Sequence, residues 1–225
     1  MNKLNFKNWN IFNKIISLVG FVIVIFILFL YIQYLPNLRK QIEHEKESSL
    51  KNTTDVAYGI MEQYYSKVTS GEMPLAEAQS KVVTALRGIR YDNDQYFFMI
   101  DPDQICILHP IQPKLEGTSL RDNKDPNGVY LFREMSAVTE KNGEGYVDYM
   151  WPKPGVDKPV PKTTYVILHK GFNWILGTGI YVDDIDEILA DMTNTLLLIM
   201  LLAAALSVAL GVLIARFISK KIREI

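Results

Sequence analysis

The chain has 225 residues, of which 48% are hydrophobic, and a formal net charge of −1. Its single cysteine cannot form a disulfide within the chain, and its balance of 24 basic and 25 acidic residues excludes the strongly basic surface that nucleic-acid binding requires. The apolar residues are concentrated in two runs, and these runs define how the chain is organised.

The first apolar run covers residues 15–34 and contains no charged residue. A helix of this length, at about 1.5 Å per residue, crosses the ~30 Å hydrocarbon core of a membrane. The run is longer than that of a cleavable signal peptide, and Leu35 and Pro36 follow it rather than small residues. We therefore predict a transmembrane helix over 15–34, preceded by a cytoplasmic N-terminus over 1–14.

Two helices are predicted after the first run. Residues 38–68 are rich in helix formers and carry apolar residues at helical spacing, so they predict one long helix. The stretch 70–72 breaks this helix, and Pro74 opens a second one with apolar residues continuing to Ile89.

Beyond Asp92 the pattern changes to short aromatic and β-branched runs separated by turn residues. A turn over 101–103 and a short helix near 129–139 interrupt the predicted strands, which are 95–100, 105–109, 145–151, 163–170 and 173–181. A helix then leads from Asp183 into the second apolar run. Helices followed by antiparallel strands predict an α+β domain.

The second apolar run, residues 195–215, is also long enough to span a membrane. Basic residues lie outside both runs, at Lys3, Lys7 and Lys14 and in the tail over 216–225, and such residues resist translocation. We therefore predict cytoplasmic ends and a periplasmic or extracellular domain over 35–194, in a protein of the bacterial cell membrane. Nearly all of the 25 acidic residues fall in this exported domain, so no nucleic-acid partner is expected.

Patterns of catalysis and metal binding are missing from the sequence. It contains no nucleophile elbow, no phosphate-binding glycine loop and no closely spaced histidine pair, so we predict no enzyme, no metal and no cofactor. Asp101 and Asp103 are interpreted as turn formers, although a pair of His109 with one of them is the alternative enzyme hypothesis. Cys106 lies in an apolar run and is predicted to pack in the core.

The predicted strands carry a dense set of aromatic and basic residues. Because side chains alternate along a strand, residues two positions apart share a face. The candidates for a small pocket with aromatic walls and a few donors are Tyr96, Phe98, His109, Tyr149, Trp151, Lys162 and Tyr165. The alternative interpretation is that the aromatic residues fill the sheet core while His109, Lys162 and Tyr165 reach solvent.

The order of several short motifs resembles the single Cache domain of bacterial chemoreceptors and sensor histidine kinases. The resemblance covers about residues 35–194 and rests on Arg90-Tyr91-Asp92-Asn93-Asp94-Gln95-Tyr96-Phe97-Phe98, His109-Pro110, Tyr149-Met150-Trp151-Pro152-Lys153-Pro154-Gly155, Lys162-Thr163-Thr164-Tyr165, and Trp174 with Gly177-Thr178-Gly179-Ile180-Tyr181-Val182-Asp183-Asp184. Each motif alone is weak, and their number and order make the resemblance specific.

The resemblance implies a PAS-like antiparallel sheet packed on a long N-terminal helix. It also implies a transmembrane chemoreceptor that is a homodimer and binds a short carboxylate such as acetate, propionate or pyruvate. Lys162 and His109 would then donate to the carboxylate, because a buried anion needs charge-assisted hydrogen bonds. The aromatic residues would enclose the alkyl tail. A bound ligand would shift the helices that lead into the spans and so signal to a cytoplasmic domain.

Several alternatives stay open at this point. Tyr165 has the opposite strand parity to Lys162, so both face one pocket only if Lys162 precedes the strand or a bulge intervenes. Arg90 is either a second cation of the site or a cap of the helix end. Gly177 and Gly179 are predicted to permit a bend rather than to contact ligand.

The output of the receptor is also open. The tail over 216–225 resembles the start of a HAMP linker, so we expect either a fragment of a longer receptor or one that signals through a separate partner. The input module of a sensor histidine kinase or cyclase, and a membrane-anchored domain that binds a protein through its acidic face, are the alternatives to a chemoreceptor.

Overall fold

The computed structural model describes Trp9, residues 11–92 and residues 94–223. The described residues fall in two compact units. One unit is Ile42–Ile185, and the other combines the flanking segments up to Gln41 and from Asp186. The predictions for Lys3, Lys7, Asn93 and Glu224 lie outside the described residues, as do the side chains of the proposed HAMP-like segment from residue 218 onward.

The flanking unit is helical. Helix α1, Ile11–Phe29, passes through a π-helical turn, Leu30–Tyr34, into α2, Leu35–Thr69, and the last helix, α5, covers Val182–Arg223. The Leu35 N–H donates to the Leu30 carbonyl, and this wider turn directly precedes Pro36, which has no N–H to donate. By length and composition, both apolar helices could cross a membrane.

The other unit contains the rest of α2, two shorter helices and a sheet. Helix α2 ends at Thr69, before Gly71 with its positive φ of 78°, and α3 covers Leu75–Arg87. Helix α4, Leu131–Asn142, follows a long loop with one 3₁₀ turn, Pro113–Leu115. The predicted α+β class is confirmed.

Five antiparallel strands form one sheet in the order β2-β1-β5-β4-β3. Their bounds are β1 Phe98–Ile100, β2 Cys106–Leu108, β3 Glu144–Pro152, β4 Pro159–His169 and β5 Trp174–Tyr181. β1 begins later than predicted because Gln95 instead pairs with Tyr91 across a tight turn, in which Asp92 and Asp94 have positive φ. β4 begins earlier than predicted, at Pro159.

Each face of the sheet has its own core. The face that packs against α4, here called the α4 face, includes Phe98, Phe132 and Val166, and the opposite α2 face packs against α2 and α3 through Met61, Val82, Met99, Leu108 and Leu176. A register shift between β1 and β2 places Cys106 on the α4 face and Leu108 on the α2 face. Cys106 is buried in the core, as predicted.

Candidate functional site

Lys162 lies at the centre of the α4 face with only 2% of its surface exposed. Its Nζ is 4.5 Å from the ring centroid of Tyr96 and 4.7 Å from that of Tyr181. This ammonium group donates a long hydrogen bond, 3.4 Å, to the Tyr96 hydroxyl. Among the described residues no carboxylate lies within ion-pair distance of Lys162, and burial lowers the pKa of this lysine from 10.5 to about 7.

His109 is the second polar residue of this group and is also buried. Its Nδ1 accepts a hydrogen bond from the Gln112 N–H at 3.0 Å, so in the neutral ring the proton is on Nε2. Burial, and secondarily the charge of Lys162, lowers the pKa of His109 to about 4. His109 is therefore a neutral donor near neutral pH.

A carboxylate holds the backbone of His109 in place. The His109 N–H donates to Glu116 Oε1 at 2.9 Å, and Arg87 binds both oxygens of the same carboxylate at 2.9 and 2.8 Å. The guanidinium of Arg87 lowers the pKa of Glu116. This fork fixes the end of β2 from behind.

Five aromatic residues complete a group that we call the ring cage, defined by Lys162, His109, Tyr96, Phe98, Tyr149, Trp151 and Tyr181. The centroid of the His109 ring is 5.2 Å from that of Tyr96, 6.4 Å from that of Phe98 and 5.8 Å from that of Trp151. The rings of Tyr149 and Trp151 are 6.2 Å apart in an edge-to-face arrangement. Most of these rings are also part of the α4-face core, so the cage continues the packing of the sheet.

The glycines of β5 make room for the cage. A Cβ on Gly177 would lie 2.4 Å from the Phe98 ring, and one on Gly179 would lie 2.8 Å from Cε of Lys162. β5 runs without interruption through both residues, so the predicted bend at these glycines is wrong. Their function is to let the ring and the lysine stem lie flat on the strand.

Tyr165 does not belong to the ring cage. Both Tyr165 and Lys162 lie inside β4, which pairs with β5 without a bulge, so the two side chains point to opposite faces. On the α2 face the Tyr165 hydroxyl is 2.6 Å from Lys51 Nζ. The prediction that Tyr165 lines the same pocket as Lys162 is thus wrong, because the two residues have opposite parity in a regular strand.

Arg90 acts at the end of α3 instead of in the cage. Its Nη1 donates to the carbonyls of Arg87 and Ile89 at 3.0 and 2.8 Å, and its Nε is 3.6 Å from Asp94. Of the two interpretations of Arg90, the structure favours the cap. The Arg90 charge still acts on the cage from a distance, because it slightly offsets the rise in the pKa of Tyr96, which burial raises to about 12.

One cage residue, Tyr181, was missing from the sequence-based candidates, and so was Thr164, which contacts the cage residue Tyr149. Tyr181 is buried, donates to the Pro152 carbonyl at 2.9 Å and packs under Lys162. Thr164 is buried as well, and its hydroxyl is 2.8 Å from that of Tyr149. The signal for Tyr181 was its parity with Gly177 and Gly179, which places it on the same face as Lys162.

The alternative chemistries gain no support from the described residues. Asp101 accepts from the Ile105 N–H at 2.8 Å and closes a turn, as predicted. The described part of the chain contains no group of three His, Cys, Asp or Glu residues that could hold a metal ion.

An open cavity of about 460 Å³ reaches Tyr149 and Lys162 from the outside of the sheet. Four carboxylates are among its lining residues, at Glu43, Glu47, Asp125 and Asp148. A negative lining disfavours an anionic ligand, so within this unit the ring cage is the better candidate for an anion site.

Comparison with known proteins identifies a family. Residues 29–199 match the family model described as Cache domain. The methyl-accepting chemotaxis protein McpP of Pseudomonas putida is 35% identical over 179 residues, which are 80% of this chain and 33% of McpP. The sensor histidine kinase MctS of Rhizobium johnstonii is 33% identical over 62% of this chain and 30% of its own length. The chain thus spans about a third of the length of the curated relatives it matches.

A solved structure agrees with this assignment. A Cache chemosensory domain, described for its recognition of carboxylic acids, is 38% identical and superposes with a TM-score of 0.62, covering 64% of this chain and 97% of the other.

Proposed function

Because the chain belongs to the Cache-domain family of sensor domains, we propose that its ring cage binds the carboxylate of a small organic acid and that the chain reports this binding across a membrane. The observation that carries the proposal is Lys162. A fully buried ammonium without an acidic partner is unfavourable in an empty site, because desolvation of the charge is not offset by an ion pair. An incoming carboxylate would supply the missing charge.

The other residues of the cage fit the same ligand. The Nε2–H of neutral His109 and the Tyr96 hydroxyl can donate to carboxylate oxygens, and hydrogen bonds to a charged group are the strong ones. The surrounding rings would supply apolar contacts to a tail of few carbons. The single buried lysine favours a monoanion such as acetate, propionate or pyruvate. The carboxylic-acid recognition described for the related Cache domain supports this ligand class.

The membrane topology is part of the proposal. Both flanking helices are long and apolar enough to span a bilayer, and the basic residues at the outer sides of the apolar runs favour cytoplasmic ends. The domain between them is then periplasmic or extracellular, in a multi-pass protein of the bacterial cell membrane. A solved structure that is 36% identical, with a TM-score of 0.61, is described as the periplasmic sensor domain of a chemotaxis protein, which supports this arrangement.

Signalling would use the helices at the two ends of the sensor domain. α5 begins directly after β5, whose last residue, Tyr181, is in the cage. A ligand that binds one arrangement of the cage better than another would shift the population of α5 positions. We propose that a homodimer passes this shift to a cytoplasmic signalling domain and that the chain itself catalyses no reaction.

The test is calorimetric titration of the full chain in lipid nanodiscs with acetate, propionate and pyruvate, and with ethylamine as a cation of similar size. We expect saturable binding of at least one carboxylate and none of ethylamine. Lys162→Met should weaken carboxylate binding at least ~100-fold, because it removes a desolvated charge partner of the ligand. The matched control is Lys158→Met, which changes an exposed lysine between β3 and β4 and should leave the affinity unchanged.

Two results would refute the carboxylate proposal. One is the absence of heat from every carboxylate while the chain unfolds cooperatively. The other is an equal loss of affinity in the Lys162 and Lys158 variants.

The input module of a sensor histidine kinase is the second candidate, and the similarity to MctS favours it. The sensor chemistry would be the same in both candidates, which would differ only in the signalling domain that follows α5. Residues 1–223 can be fused in turn to a kinase core and to a chemoreceptor signalling domain. The second candidate expects ligand to change the activity of the kinase fusion and not that of the chemoreceptor fusion.

A further inference from the structure

Lys153 joins the ring cage to the first turn of α5. It follows the cage strand β3 directly, and its Nζ is 2.6 Å from Asp184 Oδ1 and 2.9 Å from Asp183 Oδ2. These two aspartates are the acidic residues in the first turn of α5. Lys153 is 23% exposed, so water screens its ion pairs less than those of a fully exposed lysine.

The same lysine contacts the cage from the other side. Its Nζ lies 5.5 Å from the centroid of the Tyr181 ring, and the Tyr181 hydroxyl donates to the carbonyl of Pro152, the residue before Lys153. Tyr181 also lies 4.7 Å from the Nζ of Lys162. Both lysines thus contact the ring of Tyr181. Of the two, only Lys153 has acidic partners among the described residues.

From this arrangement we infer that Lys153 is a coupling residue, which does not bind ligand but transmits a change at Lys162 through Tyr181 to Asp183 and Asp184. The inference rests on the proposed sensing function and names its route. A ligand on Lys162 would pull the ammonium away from the Tyr181 ring, or press it closer. Tyr181 and the strand end at Pro152 would move together, and Lys153 would carry that movement to the start of α5.

The loop after Lys153 is a tight turn that is hydrogen-bonded to this lysine. Residues 153–158 connect β3 to β4 and include Gly155 with a φ of 76°, and the Val156 N–H donates to the Lys153 carbonyl. Because the two aspartates are at a helix N-terminus, their charges also favour the helical state of this turn, and the contact with Lys153 restrains their position. The loop and the helix start therefore form one ion-paired element.

The experiment measures hydrogen exchange of amides 182–190 in the full chain in nanodiscs, without ligand. Lys153→Gln should speed their exchange about fivefold, as expected for the loss of an ion pair worth ~1 kcal/mol, while Lys158→Gln should change it less than twofold. Lys162→Met should alter the same amides at least about twofold when Lys153 is present and not further in the Lys153→Gln background, because coupled residues are not additive. Unchanged exchange in β1 confirms that each variant is folded.

Two further arms separate this inference from the carboxylate proposal. Lys153→Gln should speed the exchange of amides 182–190 much less in an Asp183→Asn, Asp184→Asn background than in the native chain, and an equal effect in both backgrounds overturns the ion-pair mechanism. An effect of Lys162→Met that persists in Lys153→Gln overturns the route. The comparison of the Lys153 and Lys162 variants needs no ligand. If the chain binds no carboxylate, the sensing proposal is refuted, but the exchange measurements still test the role of Lys153. If propionate binds, Lys153→Gln should change its Kd less than about threefold while removing its effect on amides 182–190.

Discussion

The two faces of the sheet carry the same kinds of polar residue and treat them differently. On the α2 face, Lys51 is 2.7 Å from Glu144, and His169 is buried 3.2 Å from Glu62. On the α4 face, Lys162 and His109 are buried among aromatic rings, and no carboxylate of the described residues pairs with the lysine. The α2 face supplies its own anions, whereas the α4 face buries a cation that has no carboxylate partner among the described residues.

The pKa values of the two lysines move in opposite directions for this reason. Hydrogen bonds to Glu144 and Tyr165 raise the pKa of Lys51, while burial lowers that of Lys162. A charge that is paired within the protein stabilises the fold. A charge that is buried without an oppositely charged partner is typical of a functional site. This difference is the reason for proposing the α4 face, and not the α2 face, as the binding face.

A change of pH should have the largest effect, and this effect should depend on the α4 face through Lys162. The carboxylate needs charged Lys162, so its affinity should fall about tenfold per pH unit above the lysine pKa of about 7. Binding at about pH 8 should take up nearly one proton, because an ion pair raises that pKa, and the uptake should vanish near pH 6. Calorimetry in two buffers of different ionisation heat measures the uptake.

The empty chain gives the matching stability effect. Between about pH 7 and 10.5 the unfolded lysine holds a proton that the folded one has lost, so the contribution of Lys162 to stability rises with pH. Lys162→Met should abolish both this slope and the proton uptake. An affinity that is constant from about pH 7 to 9 would contradict the buried-cation site.

Gly179→Ala should damage the α4 face next most strongly. The added Cβ would clash with the Thr164 hydroxyl and would lie 2.7 Å from the Thr163 carbonyl and 2.8 Å from Cε of Lys162, so β4 and the lysine on it must shift. We expect about a tenfold loss of carboxylate affinity by calorimetry and a lower unfolding temperature.

Gly59→Ala is the matched control for that glycine. A Cβ there meets nothing within 4 Å, and Gly59 lies inside α2. It should leave the affinity unchanged and raise the free energy of unfolding by about 1 kcal/mol. Equal affinities in the two variants would show that Gly179 does not position Lys162.

Glu144→Gln tests the α2 face and should have the smallest effect. The pair with Lys51 is partly exposed, at 40% and 43% of the side chains, so its loss should lower the free energy of unfolding by only about 0.5 kcal/mol. Urea unfolding measures this change, and carboxylate affinity should not respond. A loss of affinity comparable to that of Gly179→Ala would mean that the two faces are not independent.

The fold was predictable because its signals are local. Apolar spacing identified α2 and α3, and turn residues separated the five strands along the chain. The start of β1 was missed because a positive φ at Asp92 and Asp94 forms a turn that alternation alone does not reveal.

The site was only partly predictable. Strand parity predicted that Tyr96 and Phe98 share one face of their strand, and that Tyr149 and Trp151 share one face of theirs. Because β4 is regular, the same parity excludes Tyr165 from the face that carries Lys162. Partners such as Lys51 and Glu144 are 93 residues apart, and pairing at that distance depends on how α2 packs on the sheet. That Lys162 has no carboxylate partner among the described residues is a property of the packed core, which no local sequence pattern contains.

The buried Cys106 has a practical consequence for all of these measurements. Burial raises the pKa of its thiol to about 12, so it reacts slowly with maleimides and iodoacetamides at neutral pH. Because it is the only cysteine of the chain, new cysteines can be introduced into a nearly silent background. Fluorophores or spin labels placed at chosen positions of the native sequence would then follow the sensor domain without prior removal of its own thiol.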